Sequence, residues 1–147
     1  MKSFFSKANI KLLLLTIILS VIFFKCKDKE DRVPYAPVDI YINLNSPEFS
    51  DLNVPGNSVM ITGGVRGIII YRSSEYEFIA LERNCTYQPS NECARVEPLD
   101  ISSPIAIDSC CGSKFLLQDG SVIKGPASLP LVQYLTSYNG STLYIHN

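Results

Sequence analysis

Histidine is nearly absent from this chain. Of its 147 residues only His146 is a histidine, and it lies well outside the cysteine-rich segments. This scarcity argues against Ser-His-Asp and Cys-His catalytic sets, because both need an imidazole beside the nucleophile. A formal net charge of −1 gives no electrostatic basis for binding nucleic acid. We therefore expect a protein that is not an enzyme and has no nucleic-acid partner, while electron transfer and thiol–disulfide chemistry stay open.

A sustained 3.6-residue hydrophobic period is also missing, which argues against a long amphipathic helix. Tryptophan is absent, whereas tyrosine, glycine, proline and β-branched residues are frequent, and this composition favours strands and turns. The isoleucine triplet at 68–70 is typical of a strand buried on both faces. These patterns predict an all-β fold with a loop over residues 45–57. The predicted strands are Val38–Asn43, Ser58–Thr62, Val65–Arg72, Tyr76–Arg83, Ser113–Leu117, Ser121–Lys124, Leu131–Ser137 and Thr142–His146.

Long hydrophobic runs are missing as well. The longest, Leu12–Phe24, has 13 residues, short of the ~20 that a membrane-spanning helix needs, and it follows a lysine-bearing start typical of a signal peptide. Cys26 comes almost directly afterwards, and a cysteine at this place resembles the lipobox of bacterial lipoproteins, although Lys25 stands where that family prefers a small residue. The resemblance implies a signal peptide over residues 1–25 and a lipid on Cys26. The alternative is an uncleaved signal anchor.

Six consecutive charged residues, 27–32, follow the cysteine. They cannot bury apolar area, so residues 26–37 are predicted to be a solvated tether. A charged stretch at this place resembles the surface-export signal of Bacteroidota lipoproteins, and it is equally compatible with a plain spacer. We expect a mature domain over residues 38–147, held by its lipid at the outer membrane and facing the periplasm or the cell surface. Disulfides form and persist in such compartments.

The four other cysteines lie in two short segments: Cys85, Cys93, Cys110 and Cys111. Gly-Ser-Lys-Phe follows the second segment at 112–115, and Gly-Pro-Ala occurs at 125–127. This arrangement resembles the cluster-binding part of a Rieske iron–sulfur domain, in which a Cys-x-His loop precedes a Cys-x-x-His loop with Gly-Ser-x-Phe and a Gly-Pro-Ala segment. The resemblance implies a Rieske-like antiparallel β-sandwich with a two-loop subdomain at about residues 84–130.

The resemblance places four residues of this chain on the Rieske ligand positions: Cys85, Tyr87, Asp108 and Cys111. Only Cys85 keeps the ligand type that the family has at its place. A Rieske centre needs two imidazoles on one iron, and neither loop contains a histidine. We therefore expect no cofactor in a degenerate member of this family. The alternative is a [2Fe–2S] electron-transfer protein of the Rieske-type ferredoxin kind with atypical ligands.

An even set of four cysteines in an exported protein favours two disulfides, which could form in three pairings. The resemblance selects Cys93–Cys110, which would match the loop-to-loop bridge of some Rieske proteins. It leaves Cys85–Cys111 as a second bridge in place of the cluster. An all-thiolate metal site made of the same four cysteines is the alternative, although their spacing is unlike that of zinc knuckles.

These features together predict a membrane-anchored lipoprotein of the cell envelope with one Rieske-like domain. Its expected role is that of an interaction or accessory module whose partner is an envelope protein that the sequence does not name. No catalytic residue is predicted.

Overall fold

A computed structural model describes residues 31–147 of the chain. The signal peptide, the lipidation site Cys26 and the first part of the tether fall outside the described residues and stay predictions. Within residues 31–147, no helix has the length and the apolar character required to cross a membrane.

Strands of this part of the chain form two antiparallel sheets, which confirms the predicted all-β class. The six-stranded sheet has the order β1-β10-β9-β4-β3-β2, and the four-stranded sheet has the order β5-β6-β7-β8. The strands are β1 (Asp39–Asn43), β2 (Ser58–Ile61), β3 (Ile68–Arg72), β4 (Phe78–Glu82), β5 (Val96–Pro98), β6 (Ile105–Asp108), β7 (Lys114–Leu116), β8 (Val122–Lys124), β9 (Gln133–Tyr138) and β10 (Thr142–His146).

The hairpin of β3 and β4 is shared by two hydrophobic cores. Ile68, Ile70 and Phe78 pack with residues of β1, β9 and β10 in the first core. The alternate residues of the same hairpin, among them Ile69 and Leu81, pack against the four-stranded sheet in the second core. The three isoleucines of β3 are fully buried, which confirms the prediction of a strand covered on both faces. The four-stranded sheet and its loops are therefore supported by two strands, β3 and β4, that are buried along almost their whole length.

Two regions of the fold contain elements that the sequence did not predict. Residues 47–53, expected to lie in a loop, form a 3₁₀ helix that starts with a proline and buries Leu52. A helix of this kind is too short and too polar to show a hydrophobic period. Strands β5 and β6 are not predicted, because segments of only three and four residues are too short to show an alternation.

The strand predicted to start at Val65 starts three residues later, because Val65 and Arg66 belong to a turn that binds a buried carboxylate. The backbone N–H groups of both residues donate to the two oxygens of Glu82, at 2.7 and 2.9 Å. The N–H of Asn84 and the hydroxyl of Tyr134 donate to the same carboxylate, at 2.8 and 2.7 Å. Glu82 is fully buried, so these four donors replace the water that its carboxylate would otherwise bind.

Candidate functional site

Three loops, here called the tip, carry the residues that the resemblance places at the cluster. They comprise residues 84–95 after β4, 109–113 after β6 and 125–130 after β8. Cys93 and Cys110 form a disulfide between the first and the second loop, as the resemblance implied. This covalent bond holds the two loops side by side.

Hydrogen bonds connect the third loop to the other two. The N–H of Ala127 donates to Ser113 Oγ in the second loop at 2.9 Å. The hydroxyl of Thr86 in the first loop donates to the carbonyl of Leu129 at 2.6 Å. The third loop contains a cis peptide bond before Pro126, within the Gly-Pro-Ala segment. All three loops are thus linked to one another.

The side chain of Arg66 holds the first loop in place from outside the tip. Its guanidinium donates to the backbone carbonyls of Pro89, Asn91 and Glu92, at 2.7 Å in the case of Asn91. The planar guanidinium carries five N–H donors, so one arginine can bind several carbonyls of a loop at once. Sequence analysis missed this role because no local pattern connects residue 66 with residues 89–92.

Cys85, Asp108 and Cys111 form a compact cluster where the first two loops meet. One possible ligand atom from each residue lies within 4.8 Å of the others. Cys85 and Asp108 are fully buried, whereas Cys111 is half-buried. Three of the four positions that the resemblance selected are therefore adjacent in space.

The predicted second disulfide is absent from this structure, in which Cys85 and Cys111 carry free thiols. Their sulfur atoms are 3.9 Å apart, almost twice the ~2.05 Å of a disulfide bond. The prediction rested on pairing all four cysteines, but only Cys93 and Cys110 are bonded. The same bond corrects the alternative of a four-cysteine metal site, because a disulfide sulfur is not available as a thiolate ligand.

Hydrogen bonds orient the cluster. Asp108 Oδ1 accepts the backbone N–H of Cys110 at 2.7 Å, and its Oδ2 accepts the thiol of Cys111 at 3.2 Å. Cys111 Sγ also lies 3.0 Å from Ser113 Oγ and accepts the Ser113 N–H at 3.4 Å. The role of Ser113 was not predicted, although it belongs to the Gly-Ser-Lys-Phe motif. One carboxylate oxygen is therefore used by the backbone, and the other faces sulfur.

Burial raises the pKa of the Cys85 thiol, and the hydrogen bond to Asp108 raises it further. A thiol with a raised pKa is protonated at neutral pH, and a protonated thiol is a poor nucleophile. This environment gives no support to thiol–disulfide exchange at Cys85.

A surface pocket of about 290 Å³ opens over this cluster. Asp108 and Cys111 contribute to its wall, and Tyr87 lies at the same pocket. Tyr87 is half-buried, packs against the second core and lines the same pocket as Asp108 and Cys111. Solvent or a small molecule can thus reach the exposed side of the cluster. The pocket lining is Tyr87, Gln88, Asn91, Ala94, Asp108, Cys110, Cys111 and Pro126.

Comparison with solved structures identifies the fold. The ferredoxin of carbazole 1,9a-dioxygenase from Nocardioides aromaticivorans IC177 is similar to this chain with a TM-score of 0.50 and 16% sequence identity, over 76% of this chain and 97% of the ferredoxin. A complex of reduced oxygenase and oxidized ferredoxin in carbazole 1,9a-dioxygenase contains a chain with a TM-score of 0.51 and 18% identity, over 73% of this chain and 93% of that one. The fold is Rieske-like. No family model and no curated sequence matches this chain.

The residues of this tip do not supply the ligand set of a Rieske [2Fe–2S] centre. On the Rieske pattern, Cys85 and Cys111 would bind different irons, with the cluster between them. Their sulfur atoms are instead in contact, 3.9 Å apart. The two imidazoles that define such a centre are also absent from the loops, and the ligand positions of the histidines hold Tyr87 and Cys111. The tip therefore has the Rieske-like architecture without the ligand geometry of the cluster.

Proposed function

We propose that this protein is a non-enzymatic, lipid-anchored module of the cell envelope that binds a partner protein through its tip and carries no [2Fe–2S] cluster. The observation that carries the proposal is that the tip combines a disulfide between its loops with the loss of the histidine ligands. Its loops are held together by the Cys93–Cys110 disulfide, while the positions of the cluster ligands lack histidine. A tip that stays ordered without a cluster is suited to recognition of another protein.

The exposed surface of the tip supports a protein partner. Leu129 is 44% exposed between two residues of the third loop that are also exposed, Ser128 and Pro130. Its carbonyl is held by Thr86, so this apolar side chain is presented from a fixed backbone. One structural neighbour was solved as a complex of a ferredoxin with an oxygenase. That neighbour supports the idea that proteins of this fold bind other proteins.

The proposed location rests on the N-terminal sequence. A short hydrophobic run, Cys26 and a charged stretch are expected of a lipoprotein that is exported and tethered to a membrane. The disulfide between Cys93 and Cys110 agrees with a compartment outside the cytoplasm. Mass spectrometry of the mature chain tests the anchor, since a lipidated Cys26 at the new N-terminus is expected and an intact signal segment would contradict it.

The partner is tested by photo-crosslinking in intact cells. A photoreactive amino acid replaces Leu129 at the tip, and the matched control carries it at Leu135, which is 63% exposed on the six-stranded sheet. We expect a discrete crosslinked protein from position 129 and none from position 135. Crosslinks of equal yield from both positions would contradict docking through the tip.

The absence of a cluster is tested on protein purified without air. We expect no stoichiometric inorganic sulfide and no visible absorption of an iron–sulfur centre. A coloured protein with two irons per chain and an EPR signal after reduction would overturn this part of the proposal and would establish the electron-transfer alternative.

A further inference from the structure

We infer that Cys85, Asp108 and Cys111 form a binding site for a single thiophilic divalent cation, such as Zn²⁺, at the position where the fold would otherwise hold a cluster. This inference goes beyond the proposed function and is independent of whether the tip binds a protein. It is carried by the distances, the burial and the hydrogen bonds of these three residues.

The distance between the two thiols fits one tetrahedral ion. Two thiolate sulfurs at about 2.3 Å from a tetrahedral zinc ion lie about 3.8 Å from each other. The sulfur atoms of Cys85 and Cys111 are 3.9 Å apart. The two sulfur atoms are therefore too close to bind two different irons, but their distance matches that of two ligands on a single ion.

Asp108 supplies a third ligand at a suitable distance. A carboxylate oxygen at about 2.0 Å from the same ion lies about 3.5 Å from each sulfur. Asp108 Oδ2 lies 3.2 Å from Cys111 Sγ, and all three ligand atoms lie within 4.8 Å of one another. The two distances that are known individually, 3.9 Å and 3.2 Å, are each within about 0.3 Å of those that one ion requires.

The environment of Asp108 independently points to a cation. The side chain is fully buried, and a buried carboxylate without a positive partner is costly. The salt bridges that the structure shows between residues of the 31–147 region join Arg83 and Arg95 to Glu97, and none of them reaches Asp108. Its close donors are one backbone N–H and thiols, which are weak donors. A bound divalent ion would provide the missing positive charge.

The surroundings of the cluster resemble the outer shell of a metal site. The N–H of Ser113 points at Cys111 Sγ, and the N–H of Cys110 fixes the carboxylate of Asp108 with one oxygen free. Such outer contacts orient ligands and raise metal affinity. The pocket of about 290 Å³ borders Asp108 and Cys111, so a fourth position on the ion stays open to water or to an external ligand. Three protein ligands with one open position make this a reactive or sensing type of site rather than a closed structural one.

The test is a titration of the full-length protein with Co²⁺, which reports thiolate ligands and tetrahedral geometry through its absorption, followed by displacement with Zn²⁺. Two free thiols per chain are first verified by mass spectrometry, after mild reduction where needed. We expect one ion per chain with sulfur-to-cobalt charge-transfer absorption. We also expect Zn²⁺ to protect both thiols from alkylation. A chain that has two free thiols and shows no cobalt–thiolate absorption would overturn the inference.

Variants assign the ligands. Cys111→Ser is expected to weaken Co²⁺ binding by about 100-fold or more, and Asp108→Asn by about 10-fold or more with a changed spectrum. Asp119→Asn, in the exposed β7–β8 turn, is the matched control for the loss of a carboxylate. Circular dichroism establishes that each variant is folded. The cysteine variant is made at position 111 and not at the fully buried Cys85, because a substitution at the less buried position disturbs the fold less.

Unchanged binding in Cys111→Ser or in Asp108→Asn would overturn the assignment. Binding of equal strength in every variant would indicate an adventitious surface ion.

Discussion

Glu82 and Asp108 are both fully buried carboxylates, yet their surroundings differ. Glu82 accepts hydrogen bonds from three backbone N–H groups and the hydroxyl of Tyr134. Asp108 accepts one backbone N–H and otherwise faces thiols. A carboxylate whose acceptor sites are filled by strong donors is part of the scaffold, whereas a carboxylate with weak partners is available to a ligand. Burial alone does not separate these two roles, but the number and kind of donors does.

The largest expected effect is on stability at Glu82. Glu82→Gln places an amide group among donors and leaves a buried N–H without an acceptor, so we expect a loss of about 3 kcal/mol in the free energy of unfolding. Asp108→Asn in the metal-free protein is expected to cost less than about 1 kcal/mol, because it disturbs fewer and weaker hydrogen bonds. Urea unfolding of the two full-length variants checks the comparison. Equal losses would show that the two carboxylates play the same structural part.

The next effect is stabilisation by metal. A ligand that binds only the folded chain stabilises it by about 2.7 kcal/mol at a concentration 100 times its Kd. We expect Zn²⁺ to raise the free energy of unfolding of the wild-type chain by this amount, and a chelator to remove the gain. Asp108→Asn is expected to gain much less, while Glu82→Gln, although less stable, is expected to keep the full gain. Thermal unfolding with and without Zn²⁺ measures both, and an equal gain in Asp108→Asn would contradict the comparison.

A smaller effect concerns Tyr134, whose hydroxyl donates to Glu82. Tyr134→Phe removes one donor from the saturated carboxylate, and we expect a loss of about 1.5 kcal/mol near pH 8. Burial and the neighbouring Glu82 raise the pKa of Tyr134 above its ordinary value of 10.0. The folded state therefore holds this proton more tightly, and the corresponding stability is present below about pH 10 and falls at higher pH.

The measurement is the free-energy difference between wild type and Tyr134→Phe at pH 8 and at pH 11. We expect the difference to shrink at the higher pH, since the phenylalanine variant cannot ionise there. Taking the difference between the two proteins cancels the contribution of the other tyrosines. A difference that stays constant between pH 8 and pH 11 would contradict a raised pKa of Tyr134 in the folded state.

The smallest effect distinguishes the two thiols of the cluster. Cys85 is fully buried with a raised pKa, whereas Cys111 is half-buried at the pocket. We expect alkylation of metal-free protein to be about fivefold faster at Cys111, because the thiolate is the reactive form and access is needed. Mass spectrometry of a time course resolves the two sites. Faster reaction at Cys85 would mean that the first loop opens more readily than the structure indicates.

Much of the fold could be predicted because its strands carry strong local signals. The isoleucine triplet of β3 indicated a strand covered on both faces, and the Gly-Ser-Lys-Phe and Gly-Pro-Ala segments indicated the tip. Strands β5 and β6 escaped prediction because they are short, and their pairing depends on the loops around them.

The site was predictable only in part. The resemblance selected Cys85, Asp108 and Cys111, and the structure brings these residues together. It did not indicate which thiols stay free, since the pairing of four cysteines is decided by distances in three dimensions. The contacts of Arg66 with Glu82 and with Asn91 join residues 16 and 25 positions apart, and no local pattern records such contacts.

Arg66 links the scaffold to the tip. Its backbone N–H donates to the buried Glu82, and its guanidinium donates to three carbonyls of the loop that lies between Cys85 and Cys93. A single residue, Arg66, therefore connects the conformation of that loop to the buried Glu82. A substitution at position 66 is therefore expected to change the mouth of the pocket without altering Cys85, Asp108 or Cys111.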